Sequence, residues 1–469
     1  MGGDYRGARA KRLCLTLSAV GILAASSVAA QTAPTPPAPQ QQPGAAAQVH
    51  TGTSQGVEED TRVQTLLADH QFLKIEQELD KLTPEQAQLY RGVLANRNND
   101  LKQSIQLLEP LVEQATVSGD AAHEKLARKA LAEDYLRLGD WAKAANAYQM
   151  LTTRMEGKLS ADEQDEIELP LKLLPLAAAN PAMTVDACDP FTLQVSKNPL
   201  GLTDLPVFVD ARPHSWMLDP TAPFNLIARS LAREAGLKVS DDAVTIHSLT
   251  GKPMKVHMTV VPRFTIGGRL TLRTMTAFVF EDADYQFKDS HYQVQGVLGY
   301  PALEALGSLT ITSDETVEVR PAKQIMPDAK ETAAATDGAR FFLDGDQVIV
   351  ALGAAGNERM FVVDAGGQQT YLTSRYFDEH AGEFAGQKME LYALPAAQNL
   401  PPVPAYTAET IPLAVGSTGV DLHYVRVLTQ PVGMAALDDV YGFLGMDALD
   451  QLHTYTFDYR TMRFRVTAE

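Results

Sequence analysis

Cysteine, tryptophan and positive charge are scarce in this chain of 469 residues. Its two cysteines, Cys14 and Cys188, cannot build a disulfide framework or a four-cysteine zinc site within one chain. A formal net charge of −18 repels phosphate backbones, so we expect no nucleic-acid partner. After residue 30, no stretch is long and apolar enough to span a bilayer. Apolar residues make up 45% of the chain, which is enough to bury a sizeable core.

Motifs of several enzyme classes are also missing. The chain has no G-x-S-x-G serine elbow, no P-loop and no G-x-G-x-x-G dinucleotide fingerprint. Its histidines show no metal-ligand spacing, and its acidic clusters lack the spacing of a calcium loop. We therefore expect neither a metal nor a cofactor.

The first thirty residues have the composition of an export signal. Four basic residues between positions 6 and 12 precede an apolar run from Leu13 to Ala30, which ends in small residues. A short transmembrane anchor is the alternative, because about eighteen apolar residues are the lower limit for spanning. We expect cleavage, export to the periplasm or the outside of a bacterial cell, and no membrane association afterwards. Cys188 is then the one remaining cysteine, and we expect it to be buried.

Composition and periodicity divide the chain into segments. The predicted segments are a signal peptide at 1–30, a Pro/Gln/Ala-rich linker at 31–58, a helical domain at 59–178, a first β-rich lobe at 195–320, a linker at 321–338 and a second β-rich lobe at 339–469. The predicted fold class is therefore multidomain, with an all-α, helical-repeat-like N-terminal domain followed by a mainly-β, double-lobed part.

The helical segment contains one clear pair of helices. Residues 131–148 form two amphipathic patterns around Gly139, which allows the left-handed conformation that ends a helix. A looser version of the pattern runs from Tyr90 to Leu111. The pair resembles the tetratricopeptide repeat, which implies a surface for a protein partner. A plain helical bundle is the alternative, because stacking normally needs about three repeats.

The β-rich part is internally duplicated. An apolar strand ends in Asp219 in the first copy (W-M-L-D) and in Asp364 in the second (F-V-V-D), 145 residues later. The motif G-V-L-G ends at Gly299, 80 residues after its aspartate, and G-F-L-G ends at Gly445, 81 residues after its own. Each aspartate alone is typical of a turn. The shared order and spacing favour a repeat with a common role.

Two lobes related by a pseudo-two-fold axis would bring Asp219 and Asp364 together. Carboxylates about 3 Å apart cannot both ionise, so such a pair shares one proton. One member then activates a water and the other protonates a carbonyl. This chemistry hydrolyses a peptide bond without a metal, a cysteine or a covalent intermediate.

On these motifs, residues 195–469 resemble a fused pair of bacterial retropepsin-like aspartic peptidase lobes. The resemblance implies a double-lobed aspartic-peptidase-like fold, a peptide or protein substrate, and Asp219 and Asp364 as catalytic residues. It also implies that four residues support the aspartate loops. These are Thr221, Gly366, Gly299 and Gly445.

The resemblance further implies two flaps over a cleft. The first is Thr245–Met258, a hairpin with Thr250 and Gly251 at its tip. The second lies near residues 394–406, where prolines make a poor hairpin. Three aromatic residues are candidates to line the cleft: Tyr285, Phe287 and Tyr292.

Both aspartate loops depart from the family's Asp-Thr/Ser-Gly. The first reads Asp219-Pro220-Thr221 and the second Asp364-Ala365-Gly366. In the family, the hydroxyl at the second position hydrogen-bonds across the dyad, which proline and alanine cannot do. Three hypotheses follow: an exported aspartic peptidase, a degenerate pseudo-peptidase that binds peptides or acts as a scaffold, and a repeat-based assembly protein with a passive β part. The peptidase is the leading hypothesis.

Overall fold

The computed structural model describes residues 54–467 except for short internal segments. The segments left out are 119–120, 187, 221, 248–252, 288–290, 322–336, 346, 395–400 and 434. The predicted signal peptide and three predicted site residues, Thr221, Thr250 and Gly251, lie outside the described residues. The chain divides into two compact units between Ala178 and Ala179.

The first unit is helical. Its helices are α1 (Ser54–Ala68), α2 (Phe72–Glu78), α3 (Pro84–Arg97), α4 (Leu101–Ser118), α5 (Ala121–Leu138), α6 (Trp141–Arg154) and α7 (Ala161–Ala177). Helix α1 begins inside the predicted linker. Gly139 has φ of 70°, and the Asp140 side chain accepts the Lys143 N–H to cap α6. The predicted helix–turn–helix at residues 131–148 is therefore confirmed, while the repeat assignment stays a prediction.

A buried polar network joins three helices of this unit. The Asp134 carboxylate of α5 accepts hydrogen bonds from Asn96 Nδ2 of α3 at 2.7 Å and Ser104 Oγ of α4 at 2.6 Å. Burial raises the pKa of Asp134 to about 6. Because unpaired buried polar groups are costly, these bonds fix the register of the three helices.

The second unit is mainly β and has two halves. The first half contains β1 (Thr184–Val185), β2 (Phe191–Gln194), β3 (Ser196–Lys197), β4 (Thr203–Val209), β5 (Arg212–Leu218), β6 (Leu226–Ala228), α8 (Arg229–Glu234), β7 (Val239–His247), β8 (Pro253–Ile266), β9 (Leu270–Phe280), β10 (Gln286–Phe287), β11 (Tyr292–Gln293), β12 (Gly296–Leu298), α9 (Tyr300–Ala305), β13 (Ser308–Ile311) and β14 (Thr316–Arg320). The second half contains β15 (Ala339–Asp344), β16 (Gln347–Leu352), β17 (Arg359–Val363), β18 (Tyr371–Leu372), α10 (Ser374–His380), β19 (Glu390–Tyr392), β20 (Val403–Val415), β21 (Thr418–Leu428), α11 (Ala435–Asp438), β22 (Gly442–Leu444), α12 (Met446–Gln451), β23 (Tyr455–Asp458) and β24 (Arg463–Val466).

The two halves repeat one strand order. In the first, β5 pairs in parallel with β12, β12 pairs antiparallel with β6, and β6 pairs in parallel with β9. In the second, β17, β22, β18 and β21 make the same three pairings. The duplication in the sequence is therefore a duplication of topology, with each predicted aspartate at the end of the equivalent strand.

The halves join through six consecutive strands in the order β2-β14-β13-β23-β24-β15. At the centre, Thr310 of β13 lies opposite Thr456 of β23, and their hydroxyls hydrogen-bond at 2.8 Å. These threonines are 146 residues apart, as are Gly299 and Gly445. Because equivalent residues pair with each other, the pseudo-two-fold axis passes between Thr310 and Thr456.

Two expectations from the sequence are wrong. Cys188 is only partly buried, because it lies in the segment between β1 and β2 rather than in a sheet. The strands on either side of the second predicted flap, near 394–406, pair as a hairpin, with Tyr392 of β19 opposite Val403 of β20. Pro404 does not prevent this pairing because its backbone faces away from β19: its carbonyl accepts the Thr429 N–H beyond the end of β21, so no Pro404 N–H is needed toward β19. In the first predicted flap, Ile246 of β7 lies opposite Met254 of β8, as expected for a hairpin.

Candidate functional site

Asp219 and Asp364 each follow a buried parallel strand. The Asp219 N–H donates to the Leu298 carbonyl at 3.1 Å, and the Asp364 N–H donates to the Leu444 carbonyl at 2.9 Å. Asp219 is 0% exposed and Asp364 is 8% exposed. Each aspartate is therefore held at the carboxyl end of its strand by the strand threaded beside it, and neither lies in a solvated turn.

Gly299 and Gly445 support the two loops in the same way. The Gly299 N–H donates to Asn225 Oδ1 at 3.0 Å, and the Gly445 N–H donates to Thr370 Oγ1 at 2.9 Å. A Cβ at either glycine would collide with loop backbone, at Gln369 in the second lobe and at two carbonyl oxygens in the first. The close approach requires glycine at both positions.

Asn225 and Thr370 are supporting residues that the sequence analysis missed. Each lies six residues after its aspartate, and both supply an oxygen acceptor at the same point of the fold. The equal offset was the signal available in the sequence. It was hidden because an amide and a hydroxyl look unrelated until the shared acceptor role is known.

A second missed position lies three residues after each aspartate. In the first lobe, the Ala222 N–H donates to Asp219 Oδ1 at 3.2 Å. In the second, Gly367 packs against the Asp364 carboxylate so closely that a Cβ there would collide with Oδ2. The sequence analysis gave this role to Gly366, which lies buried in the turn. The residue that contacts the carboxylate is Gly367.

The two carboxyl groups interact through their charges. Burial and the negative charge of Asp219 raise the pKa of Asp364 to about 7, while a hydrogen bond from the Gly367 backbone lowers it by less. Asp364 Oδ1 is buried and accepts no hydrogen bond from any described residue, so little offsets the cost of ionising this carboxyl. The charge of Asp219 therefore acts on the carboxyl of Asp364 in the folded chain.

Tyrosines surround this site. Burial and the charge of Asp219 raise the pKa of Tyr285, which ends a 3₁₀ turn at Asp282–Tyr285. Burial raises the pKa of Tyr459 too, with smaller contributions from Glu304 and Asp219. Of the aromatic residues predicted to line a cleft, Tyr285 is thus near the site, whereas the Tyr292 hydroxyl donates to Asp204 at 3.1 Å.

The loops have no hydroxyl at the position after each aspartate. Pro220 and Ala365 occupy those positions and both are buried. Other contacts link the lobes: the Gln368 side-chain amide donates to the Leu200 carbonyl, and Lys197 pairs with Asp450 at 2.9 Å. The lobes are therefore joined beside the second loop by contacts that do not involve the position after either aspartate.

Two kinds of feature are absent from the part of the chain that the structure describes. No group of three or more His, Cys, Asp or Glu side chains there is placed to hold a metal ion. Across the same residues, no helix is both long enough and apolar enough to cross a membrane.

Family comparisons match two parts of the chain. The aspartyl protease family model matches residues 205–302, which include Asp219 and Gly299. The model of Foie gras liver health family 1 matches residues 14–157. The first match supports an aspartic-peptidase-like fold for the mainly-β unit. No curated protein sequence matches the chain.

Solved structures were also compared with the chain. Basic 7S globulin from soybean is 11% identical, with a TM-score of 0.37, and the match covers 59% of this chain and 94% of the globulin chain. A retropepsin-like aspartic protease from Rickettsia conorii is 16% identical, with a TM-score of 0.22, and the match covers 30% of this chain and 96% of the protease chain.

Proposed function

We propose that this protein is an exported aspartic endopeptidase whose dyad is Asp219 and Asp364. The observation that carries the proposal is the charge coupling of these two buried carboxyls, which raises the pKa of Asp364. Equivalent loops in two duplicated lobes present them. The family match over residues 205–302 supports the same assignment.

The raised pKa assigns different roles to the two residues. We assign the shared proton to Asp364, whose pKa is raised to about 7 by burial and by the charge of Asp219. Asp219 takes a proton from a water as the water oxygen bonds to the peptide carbonyl carbon, and Asp364 gives its proton to the carbonyl oxygen. The tetrahedral gem-diol then collapses: the nitrogen takes the proton held by Asp219, one hydroxyl gives its proton to Asp364, and the C–N bond breaks. A carboxylic acid and an amine leave, and the dyad returns to its starting protonation state.

The test is cleavage of a denatured protein by the purified chain lacking residues 1–30, from pH 3 to 8. We expect pepstatin-sensitive cleavage that declines as the pH rises through about 7, because Asp364 then loses its proton. Asp219→Asn and Asp364→Asn should each lower the rate at least about 1,000-fold, the scale for removing a member of a catalytic unit. The matched control is Asp421→Asn, an exposed acid of the second lobe, which should keep the rate. Equal activity in all variants would identify a contaminating peptidase.

A pseudo-peptidase is the second candidate, and a specific observation favours it. Both loops lack the hydroxyl that ties the family's dyad together, because Pro220 and Ala365 stand in its place. Such a protein would bind a labelled unfolded peptide, measured by fluorescence anisotropy, and leave it intact by mass spectrometry. Ala365→Thr restores one hydroxyl, so cleavage gained by that variant alone would identify a loosened but otherwise complete dyad.

Export and a partner-binding role for the helical unit complete the proposal. The composition of residues 1–30 supports export, and a reporter enzyme active only outside the cytoplasm should become active when fused to them. Replacing the four basic residues with glutamate should abolish that activity. The helical unit is proposed to dock a protein partner or to restrict substrates, and deleting residues 59–178 should then change substrate preference without abolishing cleavage.

A further inference from the structure

A cavity of about 230 Å³ lies at the junction of the two lobes and includes no residue of either aspartate loop. Val195, Ile311, Leu449 and Tyr455 form its apolar floor, and all four are buried. Exposed polar residues of both lobes form its rim. The cavity is therefore a feature of the lobe junction that the proposed peptidase chemistry does not use.

The pseudo-two-fold axis gives this cavity a counterpart on the same face of the shared sheet, on the opposite side of the axis. The axis exchanges Ile311 with Phe457, since each is one residue beyond the central threonine of its strand. It also exchanges Val195 with Phe341, because both make the same backbone bond. The Val195 N–H donates to the Glu315 carbonyl in the first lobe, and the Phe341 N–H donates to the corresponding carbonyl in the second lobe. The next equivalent pair is Ser313 and Tyr459, which are again 146 residues apart.

The counterpart position is filled by aromatic rings. Phe341 and Phe457 are 0% exposed and Tyr459 is 5% exposed. The ring centroids lie 6.2 Å apart for Phe341 and Phe457 and 5.6 Å apart for Phe341 and Tyr459, within the range of favourable aromatic pairs. Valine, isoleucine and serine replace these three rings on the cavity side. The cavity is therefore the space that aromatic side chains occupy in the other half of the same fold.

The rim of the cavity carries one histidine, His453, and its carboxylate and ammonium groups together leave an excess negative charge. Lys197 and Asp450 pair at 2.9 Å and neutralise each other. Glu315 forms no ion pair with any described residue, and the chain as a whole has a net charge of −18. A positively charged group is therefore attracted to the mouth of the cavity, above an apolar floor that includes the Tyr455 ring.

We propose that this cavity binds a single aromatic ring that carries a primary ammonium group. A cavity of roughly 150 Å³ lined by apolar side chains already holds benzene. Drug-sized ligands need about 300–1,000 Å³, so this site fits one ring with a short charged arm. Both a free aromatic amine and an aromatic residue at a peptide N-terminus have this chemistry. The inference goes beyond the proposed peptidase and does not rest on it.

The experiment measures binding to the chain lacking residues 1–30 by ligand-observed NMR and calorimetry. The probes are phenethylamine, its neutral analogue 2-phenylethanol, and the dipeptide amide Phe-Gly-NH₂ with a free or an acetylated N-terminus. We expect phenethylamine to bind more tightly than the alcohol. Tighter binding of the free dipeptide than of phenethylamine would identify a peptide N-terminus as the source, and the reverse order would identify a free amine.

The decisive variant fills the cavity with the residues of its counterpart: Val195→Phe, Ile311→Phe and Ser313→Tyr together. We expect the Kd for phenethylamine to rise at least tenfold, with a melting temperature no lower than that of the parent protein. Glu315→Gln keeps the cavity and should weaken phenethylamine about two- to fivefold, as for an exposed ion pair, without affecting 2-phenylethanol. Glu409→Gln removes an exposed acid elsewhere and should change neither.

Two results would overturn the inference. One is no binding of any probe at 10 mM. The other is an unchanged Kd in a folded filled variant or in Glu315→Gln, which would place the probe elsewhere. Asp219→Asn keeps the cavity, so unchanged phenethylamine binding alongside lost cleavage would separate this site from the proposed catalytic site.

Discussion

The two lobes hold their aspartates through the same backbone contacts and surround them with different side chains. In each lobe the aspartate N–H bonds to the threaded strand, and a glycine N–H bonds to the residue six positions after the aspartate. That residue is Asn225 in the first lobe and Thr370 in the second. Each loop therefore needs an oxygen acceptor six residues after the aspartate and a residue without a Cβ to donate to it. Either an amide or a hydroxyl can supply the acceptor.

Below the loops the lobes diverge further. On one side of the axis the shared sheet packs Phe341, Phe457 and Tyr459, while the equivalent positions on the other side of the axis leave a cavity of about 230 Å³. The two aspartate loops therefore have matching backbone geometry, whereas the side-chain packing against the shared sheet differs between the lobes. Equal effects are therefore expected from paired substitutions at the loops and unequal effects at the cavity and its counterpart.

The largest expected effect comes from adding a methyl group to the paired glycines. Gly299→Ala and Gly445→Ala should each lower the free energy of unfolding by about 1–3 kcal/mol, because the new Cβ meets backbone that cannot move without the aspartate loop. Urea denaturation measures this. Gly382→Ala is the control, since a Cβ there has nothing within 4 Å. A large loss at only one paired glycine would break the equivalence of the loops.

The next effect concerns pH. The folded-state pKa of Asp364 is raised to about 7 from 3.8, so the native state binds more protons than the unfolded state between those values. Its contribution to stability is therefore greatest at low pH and is lost as the pH rises toward 7, at no more than about 1.4 kcal/mol per pH unit. Asp364→Asn should remove this slope from the pH dependence of the unfolding free energy.

Asp219→Asn tests how much of this pH dependence comes from the charge of Asp219. Removing the charge of Asp219 takes away one of the two causes that raise the pKa of Asp364, so the slope should shrink without vanishing, because burial remains. An unchanged slope in Asp219→Asn would show that the two carboxyls do not interact and would remove the basis of the proposed dyad.

The smallest expected change in unfolding free energy comes from the two threonines on either side of the pseudo-two-fold axis. Thr310→Val and Thr456→Val should each cost about 1 kcal/mol, the net value of one hydrogen bond, because the two hydroxyls share a single bond at 2.8 Å. The double variant should cost little more than either single variant. Additive losses in the double variant would mean that the two hydroxyls act independently and do not share a bond.

Much of the organisation could be predicted from local patterns. The Gly139 turn followed from helical periodicity, and the duplication followed from strand-aspartate and G-x-L-G motifs at matched spacing. Gly367 could not be chosen over Gly366, because adjacent glycines are equivalent until the loop path determines which one meets the carboxylate. The exposure of Cys188 likewise depends on a connecting segment without periodicity.

The amino-acid order alone determined which residues are equivalent in the two lobes and which two acids end the equivalent strands, because periodicity and spacing are properties of the linear chain. Only the tertiary structure decided that Asp219 acts on the pKa of Asp364, that Asn225 and Thr370 hold the loops, and that Val195 and Ile311 leave a cavity. Charge coupling and packing depend on distances between segments far apart in sequence, and those distances exist only once the two halves pair across the central threonines.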